Sequence, residues 1–457
     1  MAIRISVIIL LMCQLANVFG QTMTFEQFIG QVKSHHPLVK QSDLEIELGD
    51  AFVMQAKGAF DPNLVSSIRE KYFGEDQYYS ELTSVIQIPT WFGIEVESGY
   101  DRNIGNYVSP NSATNNAGLL FGGISVPVGK GLIIDKRRNE LSKAKIYKES
   151  TKATQALMRN ELLLKAGYAY WNWFEAWNNL KIFDDAVKAS RDRFNAVKAS
   201  SDLGDRSAID TVEANIQLQN RQIQYAQGQV NLKNTRVQLA QYLWLDGIIP
   251  VELKDSASPV SIELVECSTP SPEFRINKDS MLANHPSIKV QKFDLLMITQ
   301  EIRFKREQLK PKLDLKYRPL VSPGADFSSQ NFSWGVDLSI PLFLRNARGQ
   351  LALTQIKSEQ TKFKLIDKSM QLNVKIQQAF NKWELSSNQY DRQQAVTDNY
   401  ELLLSGENEL FNLGESSLFL INQRELAFIK SKLKMTTELA KNQRSAIEAS
   451  YHLGVLR

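Results

Sequence analysis

The chain has 457 residues, 43% of them hydrophobic and 23% charged, with 54 Lys and Arg against 50 Asp and Glu for a formal net charge of +4. These proportions sit close to globular averages, which excludes a disordered chain and a bundle of apolar membrane helices. So small and evenly spread a surplus of positive charge gives no nucleic-acid partner.

The first residues, MAIRISVIILLMCQLANVFG, carry one basic residue (Arg4), an apolar run from Ile5 to Leu15, and small or apolar residues at Val18, Phe19 and Gly20. The run is too short for a membrane span and reads as a secretory signal peptide over 1–20, with a mature start at Gln21 and a formal charge of +3 once Arg4 is gone. Cys13 is discarded with it, leaving Cys267 as the one mature thiol. No internal disulfide is then available, and packing has to hold the fold. No later stretch reaches the roughly 20 apolar residues of a membrane helix, so a membrane has to be met by strands.

An opening helix is expected over 37–58, behind His36-Pro37, because proline suits a first helical position where a missing N–H costs nothing. Four strands follow at 63–73, 79–88, 94–101 and 117–126, with Tyr72, Phe73, Tyr78, Tyr79, Trp91, Phe92 and Tyr100 near their ends. A long helix covers 140–202, about 94 Å at 1.5 Å per residue. In it Leu163, Ala166, Tyr170, Trp173, Trp177 and Leu180 recur at spacings of three and four, a coiled-coil packing seam. A turn at 203–207 and a returning helix at 208–245 come next, then a Ser/Pro-rich connector at 255–272 that holds Cys267. The remainder repeats the plan: a helix at 286–309, strands at 312–319 and 332–340, a long helix at 350–412 with Ile376, Phe380 and Trp383, a turn at 413–417 and a helix at 418–453.

This is an internal duplication. His36-Pro37 returns as His285-Pro286, and Pro62 as Pro311. Ile124-Ser125-Val126-Pro127 returns as Leu338-Ser339-Ile340-Pro341. A constant offset of 210 then relates Trp173 to Trp383, Leu203-Gly204 to Leu413-Gly414 and Leu243 to Leu453. The offset falls between the strand prolines because the first half has a longer middle section. Each long helix is nearly matched in length by its returning and opening helices laid end to end, about 57 Å and about 33–50 Å. Helices this polar bury too little among themselves, so the wall they form is expected to be completed by other copies of the chain.

The strands alternate apolar and polar residues, as in Val336-Asp337-Leu338-Ser339-Ile340. Both a soluble antiparallel sheet and the wall of an outer-membrane barrel fit that pattern. Six strands are too few to close a barrel, for which about eight are needed. At the two turns, Gly204 and Gly414 suit left-handed C-caps, and Ser207 and Ser417 suit N-caps of the next helices. Plain helix–helix corners and a docking site both fit these turns.

No enzyme signature is present: no HExxH, Cys/His cluster, GxSxG, P-loop or GxGxxG before a helix. Of the four histidines, His36 and His285 are equivalent repeat positions, His35 adjoins one of them and His452 is near the C-terminus. Gly122-Gly123 falls within a strand and reads as a bend or close backbone approach. The sequence therefore gives a non-enzyme with no cofactor and no metal site.

The twofold repeat, residues 338–354 (LSIPLFLRNARGQLALT) leading from a strand into a long helix, and the two Leu-Gly turns together resemble the TolC family of outer-membrane efflux and export channels. The resemblance covers nearly all of the mature sequence. It implies a mainly α fold with membrane β: long antiparallel coiled-coil helices forming a periplasmic tunnel, and strands contributed to a trimeric outer-membrane β-barrel. It divides the chain into a first repeat (21–254), a connector (255–272) and a second repeat (273–457). It also implies partners: a homotrimer set in outer-membrane lipid, a periplasmic adaptor docked on the tips, and an inner-membrane pump reached through the adaptor. The tip residues are then Gly204, Asp205 and Arg206 in the first half and Gly414, Glu415 and Ser416 in the second. The family's acidic ring just beyond the tip is matched by Asp210 and Glu213, but Leu420 and Gln423 stand at the equivalent second-half positions, so a periplasmic gate here differs in charge. The function so implied is the exit duct of a tripartite efflux or type I secretion system, passing small molecules or proteins; the alternative is a periplasmic coiled-coil scaffold that is not a channel. The substrate, the energy source of the pump and the choice between four and six barrel strands per protomer, about 12 or 18 in a trimer, stay open.

Overall fold

The computed structural model describes residues 22–271 and 278–456. The signal peptide expected at 1–20 and the first residues of the second repeat, 273–277, lie outside the described residues. The elements run α1 (Phe25–His35), α2 (Pro37–Gly58), β1 (Asn63–Phe73), β2 (Asp76–Pro89), β3 (Glu95–Ile104), β4 (Leu119–Pro127), α3 (Lys136–Asp202) and α4 (Ala208–Ala240). After a ribbon of β5 (Trp244–Leu245) and β6 (Ile249–Pro250) come α5 (Lys278–Asn284), α6 (Pro286–Glu307), β7 (Lys312–Val321), β8 (Phe332–Ser339), α7 (Arg345–Asn412) and α8 (Leu418–Leu453).

Local chemistry sets the boundaries. Thr24 and Gln27 form a reciprocal capping box at the start of α1. Both α2 and α6 begin on the proline after a histidine, and the His36 Nδ1 accepts from the Leu38 N–H at 3.1 Å, which supplies the cap. The long helices start earlier than the spacing of apolar residues indicates. In α3 the cause is Asp135, whose carboxylate accepts from the Arg138 N–H at 2.8 Å and starts the helix at Lys136 instead of 140. In α7 the chain turns through a left-handed Leu344 (φ 47°) and starts the helix at Arg345 instead of 350. The returning helix α4 stops at Ala240 and not at 245. Asp246 and Gly247 take φ of 51° and 70° and fold Leu245 back on Ile249, so the last apolar residues of that stretch leave the helix.

Two units divide the chain. One takes Met1–Asp43, Gln155–Pro286 and Lys368–Arg457; the other takes Leu44–Thr154 and Ser287–Asp367. The core of the first unit gathers α1, α3, α4 and α8. Phe28, Val32, Ala166, Tyr170, Trp173, Phe174, Leu239, Leu243 and Leu439 are buried there. Tyr170 is stacked on Phe28 and donates its hydroxyl to the Met23 carbonyl at 2.8 Å, which satisfies its one polar atom. Trp177 and Leu180, the last members of the α3 seam, pack half-buried against this cluster. The 255–271 connector is fastened to α7 and α8: the Ser268 carbonyl accepts from Trp383 Nε1 at 3.0 Å and from Asn442 Nδ2 at 2.9 Å. Cys267 is half-buried beside Ser387, and burial pushes its thiol pKa up, away from reactivity.

In the second unit α2 approaches α3 so closely that a Cβ on Gly49 would lie 3.1 Å from the Lys148 Cα. The edge-on pair of Phe52 and Tyr147, 5.0 Å between centroids, continues that contact. Asn139 on α3 donates to Glu301 on α6 at 2.9 Å, with Lys143 3.4 Å from the same carboxylate. All six long strands belong to one antiparallel sheet in the order β1-β2-β3-β4-β7-β8.

Candidate functional site

Two features stand out, one in each unit: the six-stranded sheet and the pair of helix–helix turns.

The register of the sheet sorts its side chains by face. One row runs Ile88↔Val96↔Ile124↔Tyr317↔Trp334 across five strands. Another joins Leu64 to Ile86, and Ile68 to Leu82. Leu315↔Val336 and Leu313↔Leu338 extend the same face. Most large residues of this face stay open to solvent, from 36% for Val96 to 72% for Trp334, while Leu82 and Leu313 are half-buried. So broad an uncovered apolar face marks contact with lipid or another protein.

The opposite face carries the intervening residues and is charged. Lys316 pairs with Asp337 at 2.7 Å and Lys312 with Asp314 at 3.1 Å. Glu97 pairs with Arg318, whose guanidinium also lies over the Phe121 ring at 5.0 Å. Gly99 is required beneath that ring, since a Cβ there would stand 2.7 Å from Phe121 and 2.5 Å from the Ser84 carbonyl oxygen. The strands are 8 to 14 residues long, around the ~9–11 of a tilted transmembrane strand. The β1–β2 turn at Gly74-Glu75, with φ of 63° and 66°, is the tight two-residue connection suited to a right-twisted hairpin. Among the described residues no helix is long and apolar enough to cross a membrane.

The two turns are built alike. At the end of α3, the Gly204 N–H donates to Ser201 O at 3.0 Å and the Asp205 N–H to Ser200 O at 2.9 Å. At the end of α7, the Gly414 N–H donates to Phe411 O at 3.1 Å and the Glu415 N–H to Leu410 O at 2.9 Å. Both are Schellman caps with the glycine left-handed, at φ of 85° and 80°. Ser207 and Ser417 then cap α4 and α8, accepting from Ile209 N–H at 3.4 Å and Leu420 N–H at 3.3 Å. The turns lie side by side, for Arg206 sits over the Phe411 ring at 4.3 Å. Leu203 and Leu413, which precede the glycines, are 79% and 74% exposed. Asp205 and Glu415 are also exposed, whereas Ser416 is half-buried and donates to Glu407. A Cβ on either glycine would meet nothing within 4 Å, so the backbone itself faces open space. The exposed leucines are the feature that sequence reasoning passed over, although they stand inside the repeated motif.

Of the residues expected at a gate, Asp210 is half-exposed, and Leu420 and Gln423 are exposed. Glu213 is brought into a bonded chain. It accepts from Asn422 Nδ2 at 2.9 Å, and the Asn422 Oδ1 accepts from Arg193 at 3.3 Å. Arg193 also pairs with the buried Glu425. Arg221, buried on α4 near this group, has its pKa lowered by desolvation, with Glu425 acting the other way. These bonds join α3, α4 and α8 a few helical turns from the two helix–helix connections. Among the described residues no three His, Cys, Asp or Glu side chains gather as metal ligands.

No family model and no curated protein matches the sequence. Solved structures do match. The Campylobacter jejuni CmeC outer membrane channel aligns at a TM-score of 0.67 and 13% identity, over 94% of this chain and 85% of that one. The outer membrane protein VceC of Vibrio cholerae gives 0.67 and 13%, over 94% and 95%. The open state of the Neisseria gonorrhoeae MtrE outer membrane channel gives 0.65 and 12%, over 94% and 88%. The chain thus has the fold of outer-membrane channel proteins over nearly its whole length.

Proposed function

We propose that the chain is the outer-membrane exit channel of a tripartite efflux or type I secretion pathway, working as a homotrimer. The observation that carries this reading is the sheet. A soluble protein would cover so large an apolar face, while a barrel wall leaves it to lipid and turns its charged face to water. A periplasmic scaffold that is not a channel has no use for that arrangement. The likeness to solved outer-membrane channels supports the reading.

Other copies of the chain are called for on the helices as well. Ile209, Val212, Ile216, Ile223, Val230 and Val237 follow one another on α4 at intervals of three, four and seven and are each more than half exposed. That is a coiled-coil seam without its partner. In a trimer the twin turns become six tips, each with a left-handed glycine and a bare leucine, a ring suited to a ring of adaptor hairpins. Gly204, Asp205, Arg206, Gly414, Glu415 and Ser416 form the docking surface, and the pump is reached through the adaptor. Asp210 and Glu213 with Leu420 and Gln423 line the entrance, where three copies of each acid draw cations. Small molecules are the favoured cargo, since no long His-, Met- or Cys-rich stretch marks a metal route.

Fractionation tests the assignment. The mature chain is expected in outer-membrane fractions, extracted only by detergent, migrating as a trimer unheated and as a monomer after boiling. A folded monomer in the soluble periplasmic fraction contradicts it.

A further inference from the structure

We infer that the end of the sheet where strands meet helices is a docking surface for anionic phospholipid, its free cations holding headgroup phosphates while apolar residues of the same loops enter the acyl layer. The inference rests on the outer-membrane channel reading and names the lipid chemistry that this end of the wall selects.

The register fixes which loops share that end. Pro89 faces Glu95, Pro127 faces Asp314 and Lys312 faces Ser339, so the connections 90–94, 128–135 and 340–344 leave the sheet together, beside the entries at 59–62 and 308–311. With the first turns of α3 and α7, these segments hold seven cations against the two acids Asp61 and Asp135. At the other end, the connections 74–75, 105–118 and 322–331 hold Glu75 and Asp326 and no cation. One end of the sheet is thus positive and the other weakly negative. Arg137 pairs with Glu95 at 2.6 Å, Arg138 with Asp135 at 3.5 Å and Lys310 with Glu307 at 2.8 Å. The other four, Lys130, Lys136, Arg345 and Arg348, have no acid partner among the described residues, and all but Lys130 are exposed. The helices do not account for them: neither α3 nor α7 has an acid in its first turn, and a cation at the start of a helix opposes its dipole.

The same loops are apolar where water would call for polar residues. Trp91, Ile133, Leu342 and Phe343 lie outside any strand and are 70% to 89% exposed. Val128 and Ile340 carry the alternation of β4 and β8 past the last paired residues, so the apolar face of the sheet runs on into these loops. Arg345 lies over the Phe343 ring at 5.1 Å, a charged head on an aromatic body. Arg138 donates to the carbonyls of Phe92 and Leu132 at 3.4 and 3.1 Å, and so ties two of the apolar loops together. Free cations beside exposed aromatic and aliphatic side chains match the boundary between headgroups and acyl chains, where phosphates lie within reach of Lys and Arg. A neighbouring copy of the chain brings the same positive rim, which leaves the four free charges unanswered. Anionic phospholipid answers both the charge and the apolar surface.

Electron spin resonance of labelled lipid tests this on the whole mature protein reconstituted in phosphatidylcholine vesicles. Lipid held at the protein surface gives a motionally restricted signal, read in turn for spin-labelled phosphatidylglycerol and spin-labelled phosphatidylcholine. The wild-type protein is expected to hold the phosphatidylglycerol label about two- to fivefold better, and to lose that preference in roughly 1 M salt, where the screening length is about 3 Å. A variant combining Lys130→Gln, Lys136→Gln, Arg345→Gln and Arg348→Gln is expected to hold both labels equally, with the amount of restricted lipid unchanged. A charge-preserving variant, Lys130→Arg, Lys136→Arg, Arg345→Lys and Arg348→Lys, is expected to keep the preference. Equal holding of the two labels by the wild-type protein overturns the inference and leaves the channel reading standing. A preference that survives high salt, or survives in the glutamine variant, does the same. Protein that restricts neither label and stays outside the vesicles overturns the channel reading and this inference with it.

Discussion

Trp173 and Tyr170 show how much of the helical unit rests on single side chains. Trp173 is fully buried on α3 and meets Tyr170 edge-on at 5.7 Å. Trp173→Ala is expected to destabilise by about 3–5 kcal/mol, as truncation of a buried aromatic residue does. Thermal unfolding in detergent checks this, and a loss below about 1 kcal/mol would place the core elsewhere. The histidines make a pH prediction. Burial lowers the pKa of His36, His285 and His452 below the ordinary 6.5. Each prefers its neutral form when folded, so the stability each contributes is present above about pH 6.5 and is lost as pH falls from there through the folded value. The melting temperature is expected to drop between about pH 7.5 and pH 5.5, and less so in His36→Asn, which keeps a side-chain acceptor at the cap without the titration. An unchanged pH profile in that variant would remove His36 from the account. At the tips, Gly414→Trp introduces a left-handed non-glycine residue, a cost of about 1–2 kcal/mol, into open space. Trimers are expected to reach the outer membrane at near-normal level while export falls to background; normal export in that variant would remove the turn from adaptor docking.

At the scale of elements, the sheet offers a contrast between its faces. Ile86→Arg puts a charge on the apolar face and is expected to cost about 2–4 kcal/mol near the middle of a bilayer. Ser67→Arg, on the facing polar side of the neighbouring strand, is expected to cost little. Equal yields of folded trimer from both would contradict a lipid-facing assignment. The elements also show what the sequence displays and what it hides. The Schellman turns were legible because a left-handed cap needs glycine and the next helix needs a serine, both repeated at one offset. The early start of α3 was hidden because its cause is one capping carboxylate, Asp135, outside the apolar seam. The end of α4 was hidden for the opposite reason: Leu243 keeps the apolar spacing and is fully buried although it lies beyond the helix. Alternation revealed strands but not their neighbours, so the position of β2 and β3 inside the ladder had to come from the register. Of the residues expected at a gate, charge was readable, but the bond from Asn422 to Glu213 joins helices far apart in sequence, and no local spacing announces it.

For the whole molecule, the duplicated plan leaves unfinished surface in both units: a heptad seam on α4, bare edges at β1 and β8, and an apolar sheet face. The proposed homotrimer in a membrane would finish all of them, so that one assembly would account for features that share no residues. The most direct measurement is conductance. Purified trimers added to a planar lipid bilayer are expected to insert spontaneously and produce discrete, reproducible steps of ion current, scaling with salt concentration as a water-filled pore does. Protein that is folded and trimeric yet leaves the bilayer silent under all applied voltages, or that binds without conducting, would contradict the channel.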